Sequence, residues 1–251
     1  MTTPAYFLSV LIFATMSEKR IFYVPQVTDG MELPADEAGH CIRVLRLSEG
    51  DGLILSDGRG TFYDAEISCI AGKRCYVRLT GSSEQPPLWR GTITLAYAPT
   101  KLMERNEWFV EKAVEIGVDR IVFLKTEHSE RDVIKMDRVE RIAVAAMKQS
   151  QKARLPELVP ITPFAKFVQC AGSQDRFIAH CEEGEKLHLA DAVTPGSDVL
   201  TLIGPEGDFS PAEIRLALDN GFRPVSLGLS RLRTETAALV AVNIMNLANR
   251  L

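Results

Sequence analysis

Cysteine is scarce in this sequence, and its placement matches neither a disulfide framework nor a zinc site. The cysteines are odd in number and contain no C-x-x-C pair: Cys41, Cys69, Cys75, Cys170 and Cys181. The four histidines are scattered, and the His-Cys pairs are sequence neighbours, a poor geometry for sharing one ion. We therefore expect reduced thiols, as in a cytoplasmic protein, and no bound metal.

A basic excess is also missing, which argues against a protein that binds polyanions over its whole surface. The formal net charge is −4 at neutral pH. One stretch departs from this balance, because residues 148–154 (KQSQKAR) contain three basic residues and no acidic one. Contact with nucleic acid is therefore expected to be local, although such charges also fit an ordinary solvated surface.

Apolar runs long enough to span a membrane are absent as well. The early segment PAYFLSVLIFATM is apolar but short, and no lysine or arginine precedes it as in an export signal. We expect translation to start at Met16 and residues 1–15 to be an extension without a structural role. The rest of the chain, 46% hydrophobic and 25% charged over the whole sequence, suits soluble globular domains.

The sequence pattern changes at a joint rich in serine, glutamate and proline, residues 82–87, which we interpret as a domain boundary. Residues 16–85 contain short β-type runs, a hairpin around DGRG and a helix over 34–47, and predict a small barrel-like module. In residues 86–251, β-type runs alternate with helical ones, including a helix over 137–152. This alternation predicts an α/β domain with a largely parallel sheet and helices on both faces.

Two glycine-containing loops near the end of the chain are its most informative feature. Residues 202–214 read LIGPEGDFSPAEI, and residues 227–238 read LGLSRLRTETAA. Each follows an apolar β-type run and precedes a helix, and Ser210 and Glu213 form a capping box with Pro211 at the start of the first helix. Such loops lie at the carboxyl edge of a parallel sheet, where open α/β folds bind ligands. We place the active site there, although both loops could also be simple tight turns.

The composition of these loops favours a nucleoside-like ligand without phosphates. Neither G-x-x-x-x-G-K-[ST] nor G-x-G-x-x-G occurs, and no lysine follows either loop to meet a phosphate. Main-chain N–H and C=O groups beside apolar residues could instead hold a base edge and a ribose. S-adenosylmethionine is such a ligand.

Several segments resemble one family in chain order over about residues 19–251. The segments are RIFYV, HCIRVLRLSEGD, DGRGTFYDAEI, KAVEIGVDRIVFLKTEHSER and KQSQKARLPEL, followed by the two loops. Together they are similar to the 16S ribosomal RNA (uracil-N3)-methyltransferases of the SPOUT superfamily. The resemblance implies an N-terminal PUA-like RNA-binding β-barrel and a C-terminal SPOUT-type α/β domain with a deep trefoil knot, acting as a homodimer. The implied reaction transfers a methyl group from S-adenosylmethionine to N3 of a uridine in the decoding region of 16S ribosomal RNA, within the small ribosomal subunit.

The loop chemistry and the resemblance together assign expected roles to residues. The expected cofactor-binding residues are Leu202, Gly204, Pro205, Glu206 and Gly207 in the first loop and Leu227, Gly228, Leu229 and Leu232 in the second. Glu206 or Glu235 could take the proton from uracil N3, and Arg233 or Arg131 could stabilise charge on the uracil oxygens. Glu235 could instead pair with the dipole of its helix. Asp208 stands where the family usually has a second glycine.

Basic residues in both domains are expected to contact RNA phosphates, because an arginine fork donates two hydrogen bonds at once. They are Arg20, Arg43 and Arg46 on the barrel, and Arg131, Lys152 and Arg154 on the catalytic domain. Arg43 and Arg46 lie three residues apart on the predicted helix and would share a face. Two alternatives stay open: a noncatalytic RNA-binding ribosome-assembly factor with a vestigial knot domain, and a different α/β enzyme that binds a phosphorylated nucleotide.

Overall fold

The computed structural model describes residues 20–172 and 175–250, so the extension expected at residues 1–15 lies outside the described residues. The chain divides into two compact units. The first unit extends to Gln85 and also contains Gln151–Arg154, and the second consists of Pro86–Ser150 and Leu155–Leu251.

The first unit contains a sheet of short and medium strands in the order β1-β2-β3-β4. The strands are β1 (Ile21–Tyr23), β2 (Gly52–Ser56), β3 (Thr61–Ala71) and β4 (Arg74–Glu84). Strands β2 and β3 are antiparallel, which confirms the hairpin predicted around DGRG, and β1 pairs with β2 in parallel. Phe22, Leu55, Ile67 and Val77 are buried in a shared core on this sheet. Strand β4 runs into the joint at residues 82–87.

The helix predicted over residues 34–47 is shorter than expected. Helix α1 (Ala35–Gly39) continues as a π-helical turn, His40–Val44, and Arg46 then adopts a φ of 54°. A residue in this left-handed conformation does not continue a right-handed helix. The prediction that Arg43 and Arg46 share a helical face is therefore wrong. The bend lets Cys41 and Leu47 both reach the core of the unit.

A short segment from later in the chain completes the first unit. The carbonyl oxygen of Ala153 accepts hydrogen bonds from the backbone N–H of Gly60 (2.9 Å) and from the hydroxyl of Ser56 (3.4 Å). Ala153 is buried with Ile21 and Phe62 in a small apolar cluster. Both main-chain pairing and apolar burial therefore hold residues 151–154 in this unit.

Lys152 and Arg154 consequently belong to the first unit, which corrects their expected place on the catalytic domain. Arg154 donates a hydrogen bond from Nη1 to the carbonyl oxygen of Arg59 at 2.8 Å. The helix predicted over 137–152 also ends earlier, at Gln149, because Gln151 has a φ of 55° that turns the chain out of the helix.

The second unit is an α/β domain built on a parallel sheet. Among the described residues its strand order is β7-β6-β5-β10-β8-β11-β9, and each neighbouring pair is parallel. The strands are β5 (Ile93–Tyr97), β6 (Arg120–Lys125), β7 (Glu157–Pro163), β8 (Asp175–Ala179), β9 (Leu187–His188), β10 (Val199–Ile203) and β11 (Arg223–Ser226). The helices are α2 (Met103–Ile116), α3 (Met136–Gln149), α4 (Phe164–Cys170), α5 (Leu189–Ala192), α6 (Pro211–Asp219) and α7 (Thr234–Asn249). The parallel sheet predicted from the alternation of elements is confirmed.

Strand β10 illustrates how helices cover both faces of this sheet. Leu200 and Leu202 pack in a core with Phe164 of α4 and residues of α6. On the opposite face, the Thr201 hydroxyl donates a hydrogen bond to the sulphur of Met245 in α7 at 3.2 Å. Burial on both sides explains why the central strands read as continuous apolar runs.

Within the part of the chain that the structure describes, no helix is long and apolar enough to cross a bilayer.

Asp175 links three segments at the start of β8. Its carboxylate accepts hydrogen bonds from the backbone N–H of Thr194 (2.7 Å) and the hydroxyl of Ser197 (3.0 Å), and it pairs with Nη2 of Arg223 (2.7 Å). Burial alone would raise the pKa of Asp175, but these hydrogen bonds and the Arg223 charge outweigh it and hold the pKa below its ordinary value.

Asp175→Asn is expected to lower the free energy of unfolding by about 2 kcal/mol at neutral pH, because the amide cannot form these charge-assisted contacts. A carboxylate with a lowered folded-state pKa contributes stability above its unfolded pKa, near 3.8, and that stability is lost as pH falls through the folded value. The difference in the free energy of unfolding between wild type and variant should therefore be constant at neutral pH and shrink below about pH 4. Urea unfolding across this pH range measures it. Asp191→Asn, at an exposed site on α5, is the control, and equal unfolding free energies at neutral pH would contradict the role of Asp175.

Candidate active site

Both glycine-containing loops border one cleft at the carboxyl ends of the parallel strands. The cleft has a volume of about 980 Å³, within the range of sites for small organic ligands. Its walls come from the ends of β8, β10 and β11 and the residues that follow them, namely 179–181, 203–208 and 225–235, with Arg105, Lys186 and Ala237. The first loop leads into α6 through the predicted capping box, in which Ser210 and Glu213 bond to each other's backbone N–H.

The cleft is lined by all the expected cofactor-binding residues except Leu202. Leu202 is fully buried in the core under α4 and α6, and the cleft is instead lined by Ile203. Successive side chains of a strand alternate between its faces, so the neighbour of a cleft residue points into the core. Leu229 is fully exposed on the second loop.

Gly228 gives the second loop its close approach to the cleft. Its φ of 125° lies in the region that side-chain-bearing residues avoid. A Cβ at this position would meet no atom within 4 Å. Gly228 therefore leaves open space at the wall of the cleft.

Asp208 fixes the first loop to the end of β8. One carboxylate oxygen accepts a hydrogen bond from the backbone N–H of Cys181 at 2.7 Å, and the other accepts from Phe209 N–H at 2.8 Å. Its φ is 62°, a left-handed conformation that Asp tolerates better than most residues. Asp208 therefore adopts the left-handed backbone conformation typical of glycine, and its side chain hydrogen-bonds the first loop to Cys181 in the cleft wall.

Glu206 and Arg131 both contact the loop that follows β5. Glu206 is exposed, and its Oε1 accepts a hydrogen bond from the backbone N–H of Lys101 at 3.1 Å. Arg131 donates from Nε to the carbonyl oxygen of Thr100 at 3.1 Å and from Nη2 to that of Lys101. Arg131 is not among the residues that line the cleft, so in this arrangement it anchors the loop.

Glu235, by contrast, is buried at the start of α7 and lines the cleft. It is 7% exposed, and its Oε1 lies 3.6 Å from Nε of Arg105 on α2. Its Oε2 is buried and has no hydrogen-bond partner. Burial raises the pKa of the nearby Tyr97 well above its ordinary value, and the charge of Glu235 raises it further. This phenol therefore stays protonated, and it donates a hydrogen bond to Asn106 Oδ1 at 3.1 Å. Arg233, directly before α7, also lines the cleft.

His180, Cys181 and Lys186 form a further wall that sequence reasoning did not assign to the site. Burial and then the charge of Lys186 lower the pKa of His180, so its ring is neutral at physiological pH. The Nδ1 atom of this ring is buried without a hydrogen-bond partner. The sequence could have indicated this wall, because residues directly after a strand of a parallel sheet lie at the same edge as the two loops. Arg105 gave no comparable signal, since it lies within a helix.

The residues expected to bind RNA lie mainly in the first unit. Arg20, Arg43, Arg46 and Arg154 are exposed there, and Lys152 is partly buried.

The fold and the cleft define a class of protein: a two-unit protein with an α/β domain, a cleft of small-molecule size at the carboxyl edge of its parallel sheet, and exposed arginines on a separate β unit. Comparison with known proteins agrees, because residues 87–246 match the RNA methyltransferase domain and residues 33–80 match the RNA methyltransferase PUA domain. The chain belongs to the RNA methyltransferase family that includes the ribosomal RNA small subunit methyltransferase E proteins.

Three similar proteins illustrate this relationship. A crystal structure of a probable rRNA-methyltransferase from Porphyromonas gingivalis is 49% identical, with a TM-score of 0.88 over 92% of this chain and 98% of that one. A putative methyltransferase from Legionella pneumophila, solved with bound S-adenosylmethionine, is 32% identical, with a TM-score of 0.84 and the same coverage. Ribosomal RNA small subunit methyltransferase E from Synechocystis is 30% identical over 81% of this chain and 68% of its own length. The SPOUT-type α/β fold with a PUA-like unit is thereby confirmed, and threading of the chain into a knot stays a prediction.

Proposed function

We propose that this protein is an S-adenosylmethionine-dependent methyltransferase that methylates N3 of a uridine in the decoding region of 16S ribosomal RNA. The observation that carries the proposal is the single cleft formed by two glycine-containing loops in an RNA methyltransferase domain. We propose residues 16–85 as an RNA-binding barrel and 86–251 as a knotted catalytic domain, apart from the segment 151–154. The names of the similar ribosomal RNA methyltransferases support the choice of substrate.

Features of the cleft fit S-adenosylmethionine. The open space at Gly228 would admit a ligand against the main chain of the second loop, and the first loop would face it from β10. The unpartnered Nδ1 of His180 offers a further polar contact. The relative from Legionella pneumophila that was solved with S-adenosylmethionine supports the same ligand for this chain.

When bound, S-adenosylmethionine supplies a methyl carbon that uracil N3 can attack, and the electron pair of the broken carbon–sulphur bond stays on sulphur. The chain must position the uracil and remove the N3 proton, which is worth typically about 10²- to 10⁴-fold in rate. Glu206 and Glu235 both line the cleft and could take that proton. Arg233 lines the cleft and could stabilise charge on the uracil oxygens, whereas the contacts of Arg131 suit an anchoring role.

The RNA would be held through phosphate contacts while the target uridine turns out of its stack to reach the cleft. We propose Arg20, Arg43, Arg46, Lys152 and Arg154 for these contacts. The proposal extends to a homodimer that acts in the cytoplasm on the small ribosomal subunit.

Nucleoside analysis of ribosomal RNA tests this function directly. Small-subunit RNA from cells without the gene should lack a 3-methyluridine that reappears when the gene is restored. Calorimetry with S-adenosylmethionine, S-adenosylhomocysteine and ATP separates the alternatives. A noncatalytic assembly factor would bind RNA and neither sulphur compound, and an enzyme for phosphorylated nucleotides would bind ATP. Unchanged 3-methyluridine in cells lacking the gene would refute the proposal.

A further inference from the structure

We infer that Glu235 is the base that removes the N3 proton of the target uridine, and that Arg105 is a positioning residue that holds Glu235 for this task. The inference rests on the proposed function, since it names the residue pair that would receive the acceptor base. It also chooses between the two carboxylates of the cleft.

The first argument is the state of the Glu235 carboxylate. The side chain is almost entirely removed from water, and Oε2 has no hydrogen-bond partner among the described residues. A buried polar atom without a partner destabilises a protein, and more so when it is charged. An oxygen in this state at a cleft wall is suited to accept a hydrogen bond from a bound ligand. Uracil N3–H is a donor of the required kind.

The second argument is the contact of the other oxygen. Nε of Arg105 lies 3.6 Å from Oε1 of Glu235, an ion-pair distance rather than a close hydrogen bond. This ion pair holds Oε1 of Glu235 toward α2. The remaining oxygen, Oε2, is then left for the ligand. Arg105 itself lines the cleft and is partly exposed.

Arg105 places one end of the pair away from the cleft wall at His180. The two glycine-containing loops follow β10 and β11, and the wall at His180 follows β8. Arg105 lies on α2, which follows β5, and β5 is on the other side of β10 from β8 and β11. The Arg105–Glu235 end of the cleft is therefore available to the acceptor base when a nucleoside lies between the loops.

Glu206 is a weaker match for the same role. It is exposed, and one of its oxygens already accepts a hydrogen bond from Lys101 N–H. A general base works best when it is held in reach of the proton in a site from which water is largely excluded. Glu235 is buried from water at the cleft wall, and Glu206 is exposed.

The proton and electron balance is complete with groups already named. The N3–H bond breaks as its proton passes to Oε2 of Glu235. The electron pair left on N3 would form the new bond to the methyl carbon as the carbon–sulphur bond breaks and its electron pair stays on sulphur. Glu235 is then a neutral carboxylic acid, and it returns its proton to water after the methylated uridine leaves. No oxidant, metal or further reactant is needed.

The test compares Glu235→Gln, Arg105→Gln and Arg105→Lys with Glu111→Gln, a control at a half-exposed position elsewhere on α2. The readouts are single-turnover methyl transfer to small subunits from cells lacking the gene, calorimetric affinity for S-adenosylmethionine, and Tm. Glu235→Gln should lower the transfer rate by about 100-fold or more and leave cofactor affinity within about threefold. If Glu235→Gln does not fold, Glu235→Asp serves instead. It keeps the carboxylate but moves it back by one methylene group, and should lower the transfer rate by about tenfold.

Arg105 should show the pattern of a positioning residue. Arg105→Gln should lower kcat by about tenfold with little change in KM for the subunit, and Arg105→Lys should recover most of that loss because it restores a cation. A transfer rate for Glu235→Gln within threefold of wild type would overturn the inference and leave the proposed function intact. Equal losses in rate and cofactor affinity would also overturn it. A wild-type protein that transfers no methyl group to these subunits would refute the function and the inference together.

Discussion

Gly228→Val is expected to reduce the affinity for S-adenosylmethionine by about 100-fold or more, equivalent to about 2.7 kcal/mol, while the protein stays folded. The Cβ of the new residue would meet no protein atom within 4 Å, and Gly228 lines the cleft, so we expect the methyl groups to occupy space that the ligand needs. The ligand would then lose both the space and the main-chain contacts of the second loop. Isothermal titration calorimetry measures the change.

Gly184→Val is the matched control for this experiment. Gly184 also has a positive φ, 146°, and a Cβ there would also meet nothing within 4 Å, but it does not line the cleft. Both variants carry comparable backbone strain, so a similar fall in Tm is expected for each. Only Gly228→Val should lose cofactor affinity. Normal affinity in Gly228→Val would show that the second loop does not hold the ligand.

The second large effect is expected on the RNA side. Arg43→Glu combined with Arg46→Glu should reduce methyl transfer to the small subunit by about 100-fold or more and leave S-adenosylmethionine affinity unchanged. Both arginines are exposed in the first unit. The double change replaces two positive charges with two negative ones, so phosphate contacts become repulsive. Mobility-shift titration at several salt concentrations should also show a shallower dependence of RNA affinity on salt.

Arg74→Glu combined with Arg78→Glu provides the same charge change elsewhere in the first unit. Both residues lie on β4 and are exposed, and Arg78 pairs with Glu66 at 3.5 Å. If Arg43 and Arg46 contact RNA specifically, the control should retain most of the transfer rate. Equal losses in both double variants would indicate a general charge effect, and no loss in the first would remove that surface from RNA recognition.

Local signals in the sequence were sufficient for several elements. The capping box of Ser210 and Glu213 marks the start of α6 because its hydrogen bonds form within one turn. The helix α2 ends at Ile116, before Gly117, whose φ of 126° is easily adopted only by glycine. In each case the residues that decide the structure are close together in the chain.

Other elements were missed because their local signal is weak or misleading. Strand β7 contains Pro160 and ends at Pro163, and proline normally argues against a strand. It is tolerated here because β7 is the edge strand next to β6, where one side of the backbone needs no partner. The α1 segment was predicted too long because its apolar spacing continues past the helix, into a bend that only the surrounding core requires.

By itself the sequence determined the α/β class, the two glycine-containing loops and the edge of the sheet at which they lie, because strand–loop–helix order and capping are local properties. Only the tertiary structure decided that Arg105 of α2 meets Glu235 of α7, leaving one carboxylate oxygen without a partner. It also decided that Lys152 and Arg154 lie in the first unit. These outcomes depend on contacts between residues far apart in the chain, which packing selects and which no periodicity or local spacing encodes.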